Sequence, residues 1–334
     1  MNKRYIRKTI NIGLPLLFGG AILYWMYRDF DIESIRDVLL HKMNWWWMLA
    51  SFPFGILAQA FRAWRWKQTL APLDEHPRTK TCMNAIFLSY AASLVVPRIG
   101  EFTRCGVLAK KDGVNFAKAL GTVVTERAVD SLIILIITAL VLLLQMPVFL
   151  SFFSKTGTRI DDLTALLGMF STTGYIVVAI CAVMTLMCFY IFRKKLAFYD
   201  KMKTTVQGIL DGVMSLRNVS NVPLFLFYSL AIWGAYFLHY YLTFFCFEGT
   251  SHLGLMCALV TFIVGSIAVL VPTPNGAGSW HFAVKTMLIL YGVADNEALY
   301  FVLIVHTIQT LLVAALGIYA SVCLSLYPNK SKEL

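Results

Sequence analysis

Apolar runs joined by short polar connectors make up the chain, and they predict helices of membrane length. The runs cover 10–27, 45–70, 82–96, 120–144, 175–192, 222–247, 254–271, 276–291 and 299–326. An α-helix rises about 1.5 Å per residue, so about 20 residues cross a hydrocarbon core of roughly 30 Å. Most of the runs meet that length, but 82–96 reaches only about 22 Å, and 276–291 has the same defect.

The Lys/Arg distribution resolves the short runs, because these residues accumulate in cytoplasmic loops. Lys67, Arg78 and Lys80 precede 82–96, and Arg98, Arg104, Lys110, Lys111 and Lys118 follow it. One crossing would separate these flanks. A re-entrant hairpin over 82–110 keeps them together, bent at Val96-Pro97-Arg98-Ile99-Gly100, where Pro97 stops the helix and Gly100 permits the turn. Around 254–291 the connectors carry Glu248, His252, Asp295 and Glu297 but no Lys or Arg, which places both outside. A second hairpin over 254–291 then enters from the opposite face, with Val271-Pro272-Thr273-Pro274-Asn275-Gly276-Ala277-Gly278 at its tip. Two short full spans satisfy the same rule.

The expected fold is therefore an all-α polytopic membrane protein, a single integral-membrane domain over 1–334, with six full spans, two opposed re-entrant helical hairpins and both termini cytoplasmic. Only Arg28, Arg36, Lys42, Lys155 and Arg159 fall in the loops assigned to the far side. Division near residue 160 gives span, span, hairpin, span in 1–160 and again in 161–334. Each half crosses three times, so the halves form an inverted-topology repeat of the kind that builds midplane sites in secondary transporters. The polar connector 146–173 joins them and is too short for a soluble domain.

Composition excludes a soluble protein: 58% of residues are hydrophobic, 14% are charged, and mean hydropathy is +0.69. The net charge of +11 does not signal nucleic acid, because the basic residues lie between apolar runs rather than on one face. Cys82, Cys105, Cys181, Cys188, Cys246, Cys257 and Cys323 show no metal-ligand or redox spacing and are expected to be small buried apolar residues. Lys3, Arg4, Arg7 and Lys8 before 10–27 resemble a secretory signal, but no small-residue cleavage site follows, so a retained first span is expected. No catalytic nucleophile motif, Walker loop or dinucleotide fingerprint is present, and neither metal nor cofactor is expected.

Ionisable residues inside apolar runs are costly and need a partner or a purpose. Glu126 and Asp130 share a helix face at i, i+4, and Arg127 reaches Asp130 at i, i+3. These three either lock their helix against its neighbours or take part in transport. On the far arm of the first hairpin, Arg98, Glu101 and Arg104 repeat every three residues and present guanidinium groups around a carboxylate. Such forks suit phosphate oxygens, or they neutralise the carboxylates internally. Arg62 is expected to face the interior, whereas Arg65, Trp64 and Trp66 are expected to anchor their helix at the membrane interface. At the second tip, Pro272, Pro274, Gly276 and Gly278 preclude regular helix, and backbone amides there are expected to hold an anion with Asn275, Ser279, His281 and Lys285, or to form a structural turn only. His239 and His306 are expected to make core hydrogen bonds.

Pro97-Arg98-Ile99-Gly100-Glu101-Phe102-Thr103-Arg104 together with Ala119-Leu120-Gly121-Thr122-Val123-Val124-Thr125-Glu126-Arg127-Ala128-Val129-Asp130 resembles the paired signature of the flippase-like membrane region of lysylphosphatidylglycerol synthases and their stand-alone relatives. Pro272-Thr273-Pro274-Asn275-Gly276-Ala277-Gly278 is similar to the family's Pro/Gly-rich motif, although Asn275 replaces a frequent Gly and His281 stands where an acidic residue is common. The resemblance implies a cytoplasmic (inner) membrane protein that moves a lipid between leaflets. Its partner is then a membrane phospholipid or a polyprenyl-phosphate-linked lipid, with a homodimer or an envelope-biosynthesis partner compatible. The soluble aminoacyl-transferring domain of the synthases is not found in the sequence, so that activity is not carried over. A membrane-embedded lipid-modifying enzyme and a non-transporting subunit of an envelope or glycolipid assembly system are the alternatives.

Overall fold

A computed structural model describes residues 32–96, 98–145, 207, 219, 221–271 and 273–326. Among the described residues every regular element is a helix. Helix α1 (Ile32–Asp37) runs into a π-helical turn and leads to α2 (Trp45–Leu70); α3 (Thr79–Val95), α4 (Ile99–Asp112) and α5 (Phe116–Leu144) follow. The second half contains α6 (Val222–Tyr241), α7 (Glu248–Ser251), α8 (Leu255–Ala268), α9 (Ser279–Leu290) and α10 (Asp295–Leu326). The expected spans 10–27 and 175–192 lie outside the described residues.

Local signals set the boundaries. Asn44 caps α2 by accepting from the Trp46 amide, Asn115 caps α5 by accepting from the Ala117 and Lys118 amides, and Asn221 caps α6 through Leu224. Helix α4 stops at Gly113, whose φ of 72° belongs to the left-handed region. Helices α5, α10 and α6 with its 3₁₀ extension to Cys246 are long and apolar enough to cross a membrane. Leu132, Leu135, Ile136, Leu140 and Leu143 stand exposed along α5, and Leu311, Ile318 and Val322 along α10, a surface suited to lipid and unsuited to water. Helix α2 is as long, but Gln59, Arg62, Arg65 and Lys67 make it more polar.

Helices α3 and α4 pack against each other as an antiparallel pair, and so do α8 and α9. In the first, Gly100 lies against the Ser89 carbonyl near the tip, while Arg78 Nε donates to Asp112 Oδ1 at 2.7 Å across the open end. In the second, Gly276 sits on Val269 at the tip, and Gly265 faces Trp280 and Val284 lower down. Helices α2 and α6 pack along each other, α10 packs on α3, and α5 touches α8.

Both hairpins meet α10. The second tip engages His306 and Thr310, about 17 and 22 Å from the start of α10 at Asp295, whereas Ala91 of α3 touches Gly317 about 33 Å along a helix of about 48 Å. The 3₁₀ turn Pro274–Gly276 also rests directly on α3. The paired helices are short, 17 and 14 residues for α3 and α4 and 14 and 12 for α8 and α9. An apolar core of Ala63, Trp66, Cys82, Ile86, Leu108 and Val123 closes the base of the first hairpin beneath its charged residues.

Candidate functional site

Helix α2 places Arg62, Arg65 and Trp66 on one face, because residues three and four apart are neighbours on a helix. Opposite them α5 presents Glu126 and Asp130, and α4 adds Arg104. Arg62 Nη1 donates to Asp130 Oδ2 at 2.7 Å, and Arg65 Nη2 lies 2.8 Å from Asp130 Oδ1. Glu126 is held between Arg104 Nη1 at 2.7 Å and Arg65 Nε at 3.7 Å. Arg65, Arg104 and Glu126 are at most 1% exposed. The Arg104 guanidinium stacks 4.6 Å from the Trp66 ring, whose Nε1 donates to Thr122 Oγ1 at 2.9 Å.

Among the described residues, three buried guanidinium groups thus face two buried carboxylates, a formal surplus of one positive charge. The donors are also in excess: Arg62 Nε and Arg104 Nη2 have neither an aligned hydrogen bond nor an ion-pair partner, and the close approach of Arg104 Nη1 to Glu126 is misaligned for a hydrogen bond. Buried donors without acceptors are costly, although Glu126 Oε1, Glu126 Oε2 and Asp130 Oδ1 meet the arginines only as ion pairs and also lack aligned hydrogen bonds.

At its rim, Arg127 Nε lies 3.3 Å from Glu101 Oε1, with side chains 43% and 35% exposed. Arg127 also approaches Asp130 Oδ2 at 3.7 Å, so the rim is electrically continuous with the interior. The hydroxyls of Tyr90 and Tyr236 bond each other at 2.8 Å within electrostatic reach of Arg62.

The second tip is neutral and self-contained. Asn275 adopts φ 53°, and its side-chain amide donates to Thr310 Oγ1 at 2.7 Å. His306 Nε2 donates to the Asn275 carbonyl at 3.1 Å. The Gly278 amide donates to His281 Nδ1 at 3.3 Å, and Ser279 Oγ donates to the Gly276 carbonyl at 3.2 Å. Gly276 and Gly278 both hold positive φ, 71° and 86°, so the helix begins only at Ser279, later than the apolar run suggests.

The structure brings Arg62, Arg104, Glu126 and Asp130 into one buried cluster and sets Glu101 and Arg127 at its edge. Arg98 is separate: it precedes α4 with φ 65°, is exposed, and does not continue the face of Glu101 and Arg104. Lys285 is separate as well, pairing with Asp295 at 2.9 Å away from the tip that holds Asn275, Gly276, Gly278, Ser279 and His281. Pro97 and Pro272 lie outside the described residues, and Pro274 opens the 3₁₀ turn.

Arg65 and Trp66 correct the interfacial-anchor expectation, since both are fully buried and bonded inside. The i, i+3 relation of Arg65 to Arg62 carried that information. Trp64 packs with Phe61 and Tyr228. His239 Nδ1 bonds the Ser51 carbonyl at 2.8 Å, a core hydrogen bond. Cys82, Cys105, Cys246 and Cys257 are buried free thiols and Cys323 is half-buried, whereas Cys181 and Cys188 lie outside the described residues.

A family model described as the lysylphosphatidylglycerol synthase TM region matches residues 12–317. No curated protein and no solved structure matches the chain.

Proposed function

The chain belongs to the family of the lysylphosphatidylglycerol synthase TM region, and from that premise we propose that it is a lipid flippase or lipid transporter of the cytoplasmic membrane. Its substrate is a phosphate-bearing lipid, a phospholipid or a polyprenyl-phosphate-linked one, whose head group crosses through a polar cleft between two re-entrant hairpins. One observation carries this reading: a buried cluster with surplus positive charge and unpaired guanidinium N–H groups, continuous with a half-exposed ion pair at membrane depth.

Depth is what gives the cluster this meaning. Glu126 and Asp130 stand about 15 and 21 Å into α5, a helix of about 43 Å, which puts them near the midplane if α5 spans. Arg127, between them, has a half-exposed guanidinium that would be expensive against acyl chains but is tolerated where water or a head group reaches it. The tip positions along α10 favour hairpins that turn back at mid-depth. The reciprocal packing of α10 on α3 and α5 on α8 is what an inverted repeat of 1–160 and 161–334 produces.

In this mechanism Arg62 and Arg104 hold the head-group phosphate with their unused N–H groups. Arg65 and the carboxylates Glu126 and Asp130 keep the guanidinium groups oriented and release them alternately, while Arg127 and Glu101 admit the head group from the cleft. The acyl tails remain in lipid, and both termini face the cytoplasm. Head-group chemistry has less support, because Glu126 is clasped by two arginines and is not disposed to act as a general base.

The test is leaflet translocation of labelled anionic phospholipid in proteoliposomes. Arg104→Ala should reduce the rate at least about tenfold, the loss expected for one charge-assisted contact. Unchanged rates in Arg104→Ala and Arg62→Ala would remove the cluster from transport, and a covalently altered lipid would assign an enzyme instead.

A further inference from the structure

The second hairpin is fastened by imidazole groups from two different helices. His281 on α9 accepts the Gly278 amide on Nδ1, and His306 on α10 donates from Nε2 to the Asn275 carbonyl. Their ring centroids are only 4.4 Å apart, and Trp280 lies 5.2 Å from the His306 ring and 5.6 Å from that of His281. Between the two anchored backbone groups the chain holds left-handed φ values at Asn275, Gly276 and Gly278, a conformation fixed by these bonds and the Asn275–Thr310 contact.

An Nδ1 that accepts an amide hydrogen carries no proton. We propose that the His281–His306 pair is a proton-binding switch for the second tip: a proton taken up from water on His281 Nδ1 displaces the Gly278 N–H, and the first turn of α9 detaches from the Asn275–Gly278 segment. No covalent bond changes. The neighbouring ring opposes a second charge at 4.4 Å, so the pair takes one proton at a time.

The described groups around the pair are uncharged or paired elsewhere. Trp280 covers the pair from α9, and the Tyr240 ring of α6 meets Trp280 edge-on, with ring centroids 6.3 Å apart. On α10 the tip meets the neutral Thr310, and from α8 Gly265 faces Trp280. On α3 the Tyr90 hydroxyl is engaged with Tyr236. Lys285, one turn beyond His281, is drawn away by Asp295, and Glu297 lies against Gly249. Because the Pro274–Gly276 turn rests on α3, the first arm of the other hairpin, detachment of the second tip is passed to the element beside the charged cluster. That consequence rests on the transport reading, whereas the switch itself does not.

Hydrogen exchange on the intact protein in lipid nanodiscs tests the switch at pH 8 and pH 5.5, corrected for intrinsic exchange. Protection of the amides in 275–281 should fall roughly tenfold at the lower pH, the loss of one buried hydrogen bond, with α8 unchanged. His281→Asn keeps an acceptor near the Gly278 amide but does not titrate, so its tip should stay protected at both pH values. Should that variant unfold, seen as lost protection in α8, His306→Asn replaces it and must shift the midpoint upward by removing the opposing ring. Equal wild-type protection at both pH values, an undiminished response in a folded His281→Asn, or an unshifted midpoint in His306→Asn overturns the proposal. Translocation on the same samples separates the two readings: a pH-responsive tip without lipid movement sinks transport alone, and lipid movement with a pH-indifferent tip sinks the switch alone.

Discussion

The two hairpins occupy equivalent places in the chain but are held in opposite ways. The first packs its second arm into an ionic cluster in which Arg104 meets Glu126 and stacks on Trp66, with its open end clamped by Arg78 and Asp112. Among the described residues, the second has no Lys, Arg, Asp or Glu at its tip; Asn275, Thr310, His306, His281 and the backbone of Gly276 and Gly278 satisfy one another. A low-dielectric interior amplifies both arrangements, but differently. Uncompensated charge there demands a ligand, whereas a closed neutral network demands only a trigger to open it. On the proposed transport reading, the contrast would give binding to the first hairpin and gating to the second.

The sharpest way to break this contrast is to remove a charge from the first hairpin. Glu126→Gln leaves Arg104 and Arg65 buried with only Asp130 as a counter-ion, and should destabilise the protein by about 3–5 kcal/mol in detergent unfolding. Adding Arg104→Met to it should recover much of that loss, because an isolated buried charge costs more than a missing pair. If Glu126→Gln unfolds with wild-type stability, the cluster is solvated and the assignment of binding to buried charge fails.

Close packing gives the next contrast. A Cβ at Gly100 would collide with the Ser89 carbonyl, a backbone atom that cannot turn aside, so Gly100→Ala should cost about 2–3 kcal/mol and spread the first hairpin. At Gly265 the added Cβ meets Trp280 Nε1 at 2.7 Å, and a side chain can yield. Gly265→Ala should therefore cost less, about 1 kcal/mol, while displacing Trp280 and changing its fluorescence. Equal costs would mean that the second hairpin is as rigid as the first and unsuited to gating.

How much of this was legible in the sequence depended on whether a feature is local. The run 45–70 coincides with α2, and the i, i+4 pair Glu126 and Asp130 does share a buried face, because spacing along one helix fixes both. The pairing of Arg62 with Asp130 spans 68 residues and depends on how α2 and α5 are rotated toward each other. Helices that are apolar on nearly every side do not encode that rotation in their pattern. Arg65 departs from its expected anchoring role for the same reason: proximity to the helix end suggests snorkelling, and only the position of α5 reveals its partners. Arg98 fails the three-residue spacing because α4 begins after it, a boundary that the spacing alone does not show.

A smaller effect separates conformation from hydrogen bonding at the second tip. Asn275→Gly preserves access to φ 53° but loses the bond to Thr310, whereas Asn275→Ala loses both. Unfolding should show about 1 kcal/mol for Gly and about 2 kcal/mol for Ala. If the two variants match, the left-handed conformation contributes nothing, and the tip is held by the side-chain bond alone.

The smallest expected effect concerns Lys285, the cation nearest the second tip along the chain. If anion binding were divided between the hairpins, this residue would supply the second hairpin's share. It pairs instead with Asp295 at the far end of α9, where the partner carboxylate is 65% exposed. Exposed pairs of this kind contribute about 0–1 kcal/mol, so Lys285→Met should shift stability by no more than that. Lipid translocation by Lys285→Met should remain within about twofold of wild type, against the roughly tenfold loss expected for Arg104→Ala. A loss as large as that of Arg104→Ala would mean that both hairpins bind the head group in turn, and the division between a binding hairpin and a gating hairpin would have to be abandoned.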